Sequence, residues 1–306
     1  MARLDIGAAA LSGFGVIGRN PLAPAVWGLV RVVLTMGPLL LVLPAMLQFL
    51  DTLPELLAQE DPDWQDMMKA YMAMNVGSPL AFVGSLVAYG LVTGAVFRAV
   101  LSPADKAWFY LRFGLGEVMV VVVTIVIVVM LIFAIIPLAI VIGILTAVGG
   151  QVSEGAAAIV ALLAILALVV GGVWVALRLS LAPAMSFDTR TFRLFESWRP
   201  TRGHALSLLL MAILNFIVVL MIQMVVGAIV GALMFGVMFS GPIDLATLSE
   251  DPASVLTREN IERWLPWLLG YGAVAGIASG YLLAIIDAPW AAAYKALVKD
   301  DAAEAA

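Results

Sequence analysis

The chain of 306 residues contains no cysteine and a single histidine, His204. The first absence excludes disulfides, thiolate metal sites and a cysteine nucleophile. The second excludes a metal cage or catalytic dyad built from histidines. Charge is also scarce, with Asp, Glu, Lys and Arg at 12% of residues and a net charge of −5, about half the charged share of a soluble domain. That composition excludes disorder, a disulfide scaffold and nucleic-acid binding together. There is no Walker glycine loop, Gly-x-Ser-x-Gly elbow or His-Glu-x-x-His helix, so nucleotide binding, serine hydrolysis and zinc proteolysis lack their usual residues. The sequence thus predicts neither enzyme activity nor a cofactor.

What the chain has in excess is hydrocarbon. Hydrophobic residues make up 63% of it, and the mean hydropathy of +1.09 places it in the membrane class. Crossing about 30 Å of hydrocarbon takes roughly 20 mainly apolar residues. Six runs meet this length: 22–50, 80–101, 118–148, 156–181, 205–239 and 265–286. They predict one integral membrane domain over residues 1–306, an all-α polytopic bundle of six transmembrane helices arranged as three hairpins. The third and fifth runs exceed the bilayer, which implies tilt, a kink at Pro137 or extension into water; splitting one into a re-entrant pair is the alternative.

Basic residues flanking a span tend to remain in the cytoplasm. Twelve of the 16 Lys and Arg fall on one side: Arg3, Arg19, Arg98, Lys106, Arg112, Arg178, Arg190, Arg193, Arg199, Arg202, Lys295 and Lys299. The other side has Lys69, Arg258 and Arg263, while Arg31 lies within the first run. Both termini are therefore predicted to be cytoplasmic. Asp5 and a short, glycine-broken opening argue against a cleaved signal peptide. Leu4, Ala8, Leu11 and Phe14 recur at helical spacing, so a short helix is expected along the inner interface before Asn20-Pro21.

The exits of the even-numbered runs repeat a pattern: RAVLSPADKAWFYLRF from Arg98, RLSLAPAMSFDTRTF from Arg178 and AIIDAPWAAAYKAL from Ala284. Pro103, Pro183 and Pro289 are each expected to stop a helix near the headgroups, ahead of an interfacial stretch. A repeat and the ordinary chemistry of a membrane exit both account for the pattern. Beyond Pro183, Phe192, Leu194, Phe195 and Trp198 are expected on one face of a surface helix, with Arg190, Arg193 and Glu196 on the other. This helix and the exits at Arg98 and Arg178 form the predicted cytoplasmic surface for a lipid or a protein partner, with Arg199 and Arg202 beside them; a positive-inside anchor without ligand is the alternative.

The loops on the opposite side are acidic: Asp51, Glu55, Glu60, Asp61, Asp63 and Asp66 in one, Asp244, Glu250, Asp251, Glu259 and Glu262 in the other. Neither has calcium-loop spacing, and no metal is expected. Trp64, Met67, Met68, Tyr71 and Met74, and then Ile261, Trp264 and Leu265, predict short amphipathic helices in these loops.

Polar groups inside hydrocarbon are costly, and each is a candidate for function. Arg31 is expected to snorkel or to pair with Asp287 or Glu117, all near the same edge. Asn215 and Gln223 in the fifth run read as interhelical glue or as a pathway lining. Gly90 with Gly94, Gly227 with Gly231, and Gly272 with Gly276 and Gly280 lie four apart, as in close helix packing.

At RLSLAPAMSFDTRTFRLFESWRPTRGHALSLLL the chain resembles a family of bacterial six-helix proteins grouped with the membrane domain of glycerophosphoryl diester phosphodiesterases. The matching positions are Arg178, Pro183, Ser197, Trp198, Thr201, Arg202 and Gly203; LDIGAAALSGFGVIGRNPLAPAVWGL and SPADKAWFYLRFGLGE look similar too. The family's phosphodiesterase reaction resides in a separate barrel with a His-Arg motif and further metal ligands, which this chain lacks. The resemblance implies a multi-pass bacterial inner-membrane protein that anchors, scaffolds or associates with membrane lipids; the basic cytoplasmic surface adds a protein as a further expected partner, and the glycine faces a second copy. A carrier or flippase for a lipid or other apolar solute is the alternative.

Overall fold

The computed structural model describes residues 4–57, 63–75, 77–240 and 258–300. Every regular element among them is helical. Two short helices, α1 (Ile6–Ala10) and α2 (Ser12–Arg19), open the chain; the Asp5 carboxylate caps α1 by accepting the Ala8 N–H at 2.9 Å. Leu11 and Phe14 face outward, as an interfacial helix requires, while Ala9, Ala10 and Val16 are buried.

Six helices are long and apolar enough to cross a membrane. They belong to α3 (Leu22–Leu57), α5 (Ser78–Leu101), α6 (Leu115–Val152), α7 (Glu154–Leu179), α9 (Ala205–Ser240) and α10 (Arg258–Tyr294), with α4 (Trp64–Asn75) between the first two. The protein is an all-α, multi-pass membrane bundle. Its chain divides into two compact units, one of Met1–Val16, Thr93–Asn215 and Ile285–Ala306 and a second of Ile17–Val92 and Phe216–Ala284.

In the second unit α3 packs antiparallel against both α5 and α10. A Cβ added to Gly84 would overlap the Leu34 carbonyl oxygen, and one on Gly77 would meet Val42. On the other side Gly28 lies against the Gly276 carbonyl and Gly280 against that of Pro24, while the Tyr281 hydroxyl donates to the Pro21 carbonyl at 2.8 Å. The expected close packing therefore holds at Gly276 and Gly280. It does not extend to Gly227, Gly231 or Gly272, whose added Cβ atoms would meet open space.

In the first unit α6 and α7 form a hairpin joined by Ser153 alone, whose hydroxyl caps α7 by accepting the Ala156 N–H at 3.1 Å. Both helices expose Val, Ile, Leu and Phe along most of their length, which suits a surface facing lipid. α6 is one helix of 38 residues through Pro137, and α9 is one of 36, so neither splits into a re-entrant pair. Pro137 forfeits a backbone hydrogen bond on an exposed face. Pro137→Ala is expected to leave the span in place and to hold or raise the melting midpoint in detergent.

Three local expectations need correction. Pro289 does not end its helix: α10 continues to Tyr294 and then through a π-helical turn, Lys295–Asp300. Burial of Ala288, Ala291, Ala293, Tyr294 and Leu297 offsets the missing hydrogen bond. Ile261, Trp264 and Leu265 belong to the first turns of α10, not to a separate loop helix. The stretch from Phe192 to Arg202 is no continuous helix. A short helix, α8 (Ala182–Thr189), ends at Arg190 in the left-handed conformation (φ 55°), and a single turn follows at Phe195–Trp198.

At the acidic end Asp51 meets Arg258 at 3.2 Å, and Arg258 meets Glu262 at 2.9 Å; Arg263 meets Glu259 at 3.2 Å. These carboxylates serve exposed ion pairs. Glu60, Asp61, Asp244, Glu250 and Asp251 lie outside the described residues. Among the described residues no cluster of three metal-ligating side chains occurs.

Candidate functional site: a charged cavity at the helix ends

The end of α5, the start of α6 and the end of α8 enclose a cavity of about 310 Å³. Each contributes a charged group for a local reason. Arg98 lies in the last turn of α5, where a cation suits the helix dipole, and Glu117 in the first turn of α6, where an anion does. Gly94 lets the two helices approach: a Cβ there would stand 2.7 Å from Glu117 Cγ. Gly116 does the same for α8, where a Cβ would come 3.0 Å from the Phe187 carbonyl.

The Arg98 guanidinium donates to the Glu117 carboxylate and to the Tyr110 carbonyl, and it stacks over the Phe187 ring at 5.4 Å. The pair is well removed from water, with side-chain exposures of 12% for Arg98 and 2% for Glu117. Its Tyr110 partner ends a turn of three aromatic residues, Trp108, Phe109 and Tyr110, all left-handed with φ of 52°, 57° and 64°. Such backbone costs about 1–2 kcal/mol per residue. Burial of Tyr110, the Arg98 bond and a 3.2 Å bond from the Tyr110 hydroxyl to the Pro103 carbonyl hold it in place. The turn leaves Trp108 83% exposed, with Phe113 69% exposed beside it.

The charges around the cavity largely cancel in pairs. Glu117 takes Arg98, and Asp105 takes Arg112 at 2.5 Å. Asp188 accepts from the Tyr294 hydroxyl at 2.9 Å and from Lys299 at 2.8 Å. Arg190 lines the same cavity, is exposed, and has no ion-pair partner among the described residues. It is also held at positive φ, a strained arrangement of the kind that clusters at binding sites.

A second unsatisfied cation lies in the last turn of α7. Nε and Nη1 of Arg178 are buried without a hydrogen-bond partner, and its guanidinium lies over the Trp174 ring at 5.4 Å. Trp198 meets Trp174 edge-on at 5.2 Å. The Ser197 hydroxyl, 2.8 Å from the Arg178 carbonyl, fastens this turn to α7. Cation–π attraction supplies about 0.5–2 kcal/mol but gives the two buried nitrogens no hydrogen-bond acceptor. The ring alone does not balance the charge.

The other anticipated residues divide. The pairing of Arg31 with Glu117 is replaced by Arg98–Glu117, and Arg31 is exposed. Asp287 accepts the Thr93 hydroxyl at 2.8 Å. Asn215 is 7% exposed with its Oδ1 unpartnered, while Gln223 is exposed. Arg193 pairs with Glu196 at 2.8 Å; Arg199 and Arg202 are exposed. Asp105, Asp188, Tyr294 and Lys299 do not stand out in the sequence as site residues, and Arg112 serves there only to orient the chain. The Asp105 and Arg112 pair, seven apart in one loop, is open to recognition as a loop closure; the Asp188 contacts cross more than 100 residues and carry no local signal.

Compared with known proteins, the chain matches no protein-family model, no curated protein and no solved structure.

Proposed function

We propose that this protein is a non-catalytic, lipid-associated module of the bacterial inner membrane, with both termini in the cytoplasm and its cavity at the cytoplasmic headgroup level, where an anionic phospholipid headgroup docks. The observation that carries this reading is the pairing around the cavity, which among the described residues leaves Arg190 as the unneutralised charge at its rim. Exposed Trp108 and Phe113 beside it suit the belt between acyl chains and water. The positive-inside distribution and the resemblance to the six-helix membrane family support the same reading.

Arg190→Gly separates binding from folding. Glycine is the preferred residue at a left-handed helix end, so the variant is expected to be at least as stable as the parent. A basic residue near an anionic headgroup is worth about 1 kcal/mol, so affinity for phosphatidylglycerol should fall about fivefold in a native mass-spectrometry titration from detergent. Equal affinity in Arg190→Gly and in Arg190→Glu would remove the cavity from consideration.

A further inference from the structure

We propose that Arg178 anchors a second phospholipid site, in which a lipid phosphate oxygen accepts from the guanidinium and an acyl chain runs along the exposed face of α7. This goes beyond the cavity: Arg178 is not among the residues lining it.

An indole ring is a donor through its N–H and has no lone-pair acceptor to offer a guanidinium. Trp174 therefore leaves Nε and Nη1 still in need of an acceptor, and no carboxylate among the described residues supplies one. An anionic oxygen from outside the chain supplies a missing acceptor, and a phosphate diester fits the planar fork that Nη2 makes with either of these nitrogens.

The approach to Arg178 argues for a lipid over a free anion. Leu166, Val170, Trp174 and Arg178 follow one another at four-residue spacing along α7, and so share a face. The first three are 57%, 61% and 46% exposed. A continuous apolar stripe thus leads to a guanidinium at the helix end, matching a molecule with a hydrocarbon tail and a charged head. Trp198, edge-on to Trp174, sits beside it on the turn fastened by Ser197.

The test is native mass spectrometry of the full chain in detergent, titrated with phosphatidylglycerol. The parent should retain two lipids, Arg178→Gln one, and Arg190→Gly the other. Arg178→Lys keeps the charge but not the fork, so it guards against misfolding in the glutamine variant and should bind about tenfold more weakly than the parent. Unchanged affinity and stoichiometry in both Arg178 variants would overturn the proposal. So would loss of both lipids in Arg190→Gly alone, since that would mean a single site. Displacement of the Arg178-dependent lipid by millimolar inorganic phosphate would reassign the site to a free anion and overturn the lipid assignment. Failure of the cavity reading is separate: it shows as an unaffected Arg190→Gly beside a defective Arg178→Gln.

Discussion

Glu117→Ala is expected to destabilise the protein by about 3–5 kcal/mol, because it leaves the Arg98 guanidinium buried beside a gap instead of a carboxylate. Arg98→Ala should cost a similar amount, since Glu117 is 2% exposed and would lose its counter-ion. The two losses will not add. Replacing both partners by apolar residues, as in Arg98→Met with Glu117→Leu, removes the stranded charge and should recover most of the stability. A double-mutant cycle on the unfolding midpoint in detergent measures the coupling. Single variants within about 1 kcal/mol of the parent would show that water reaches the pair, as at an ordinary surface salt bridge.

The second large effect is expected where α3 meets α10. Gly28→Ala and Gly280→Ala each drive a methyl into a backbone carbonyl, that of Gly276 or of Pro24, and no rotamer relieves the overlap. The helices must separate, at about 1–3 kcal/mol for each substitution. Gly276→Ala should be milder. The first atom its methyl meets is Val32 Cγ2, the end of a side chain that can turn. Gly227→Ala and Gly231→Ala point into open space and should stay within about 0.5 kcal/mol of the parent. Thermal unfolding of the five variants in one detergent would rank them. A uniform response would contradict the packing that separates them.

The contrast among these glycines shows what a sequence carries and what it withholds. Spacing by four marks a face on which backbones can approach, but it does not say which face has a partner. Gly276 and Gly280 have one, and Gly227 and Gly231 meet open space. The six spans are legible because hydrocarbon thickness sets their length directly. Pro183 opens α8 after α7 has already ended at Leu179, and Pro103 sits where expected, just past α5. Pro289 does not, since burial further along the chain outweighs one lost hydrogen bond, and that burial depends on tertiary packing.

The same limit explains the surface helix that does not form. The aromatic and basic residues from Arg190 to Trp198 have helical spacing, yet side chains redirect the backbone. Ser186 Oγ accepts the Arg193 N–H at 3.0 Å, Leu194 is drawn into a core with Val123, Leu179 and Ala182, and the Ser197 hydroxyl donates to carbonyls at 2.8 Å. Pro200 then blocks continuation. At the cavity the arginines at 98 and 190 are legible as basic positions. That one is neutralised and the other left unpaired depends on Glu117, for which sequence position suggests Arg31 as a partner.

The antiparallel contact of α3 with α10 also bears on the order in which the chain is made. Gly28 leaves the ribosome roughly 250 residues ahead of its neighbours on α10, a delay of roughly 10–50 s at ordinary elongation rates. Throughout that interval the groove of α3 that will receive Gly276 and Gly280 lacks its native occupant. The nascent protein must wait through that delay to close this helix face, a period in which lipid, an insertion factor or another copy competes for the place that α10 will take.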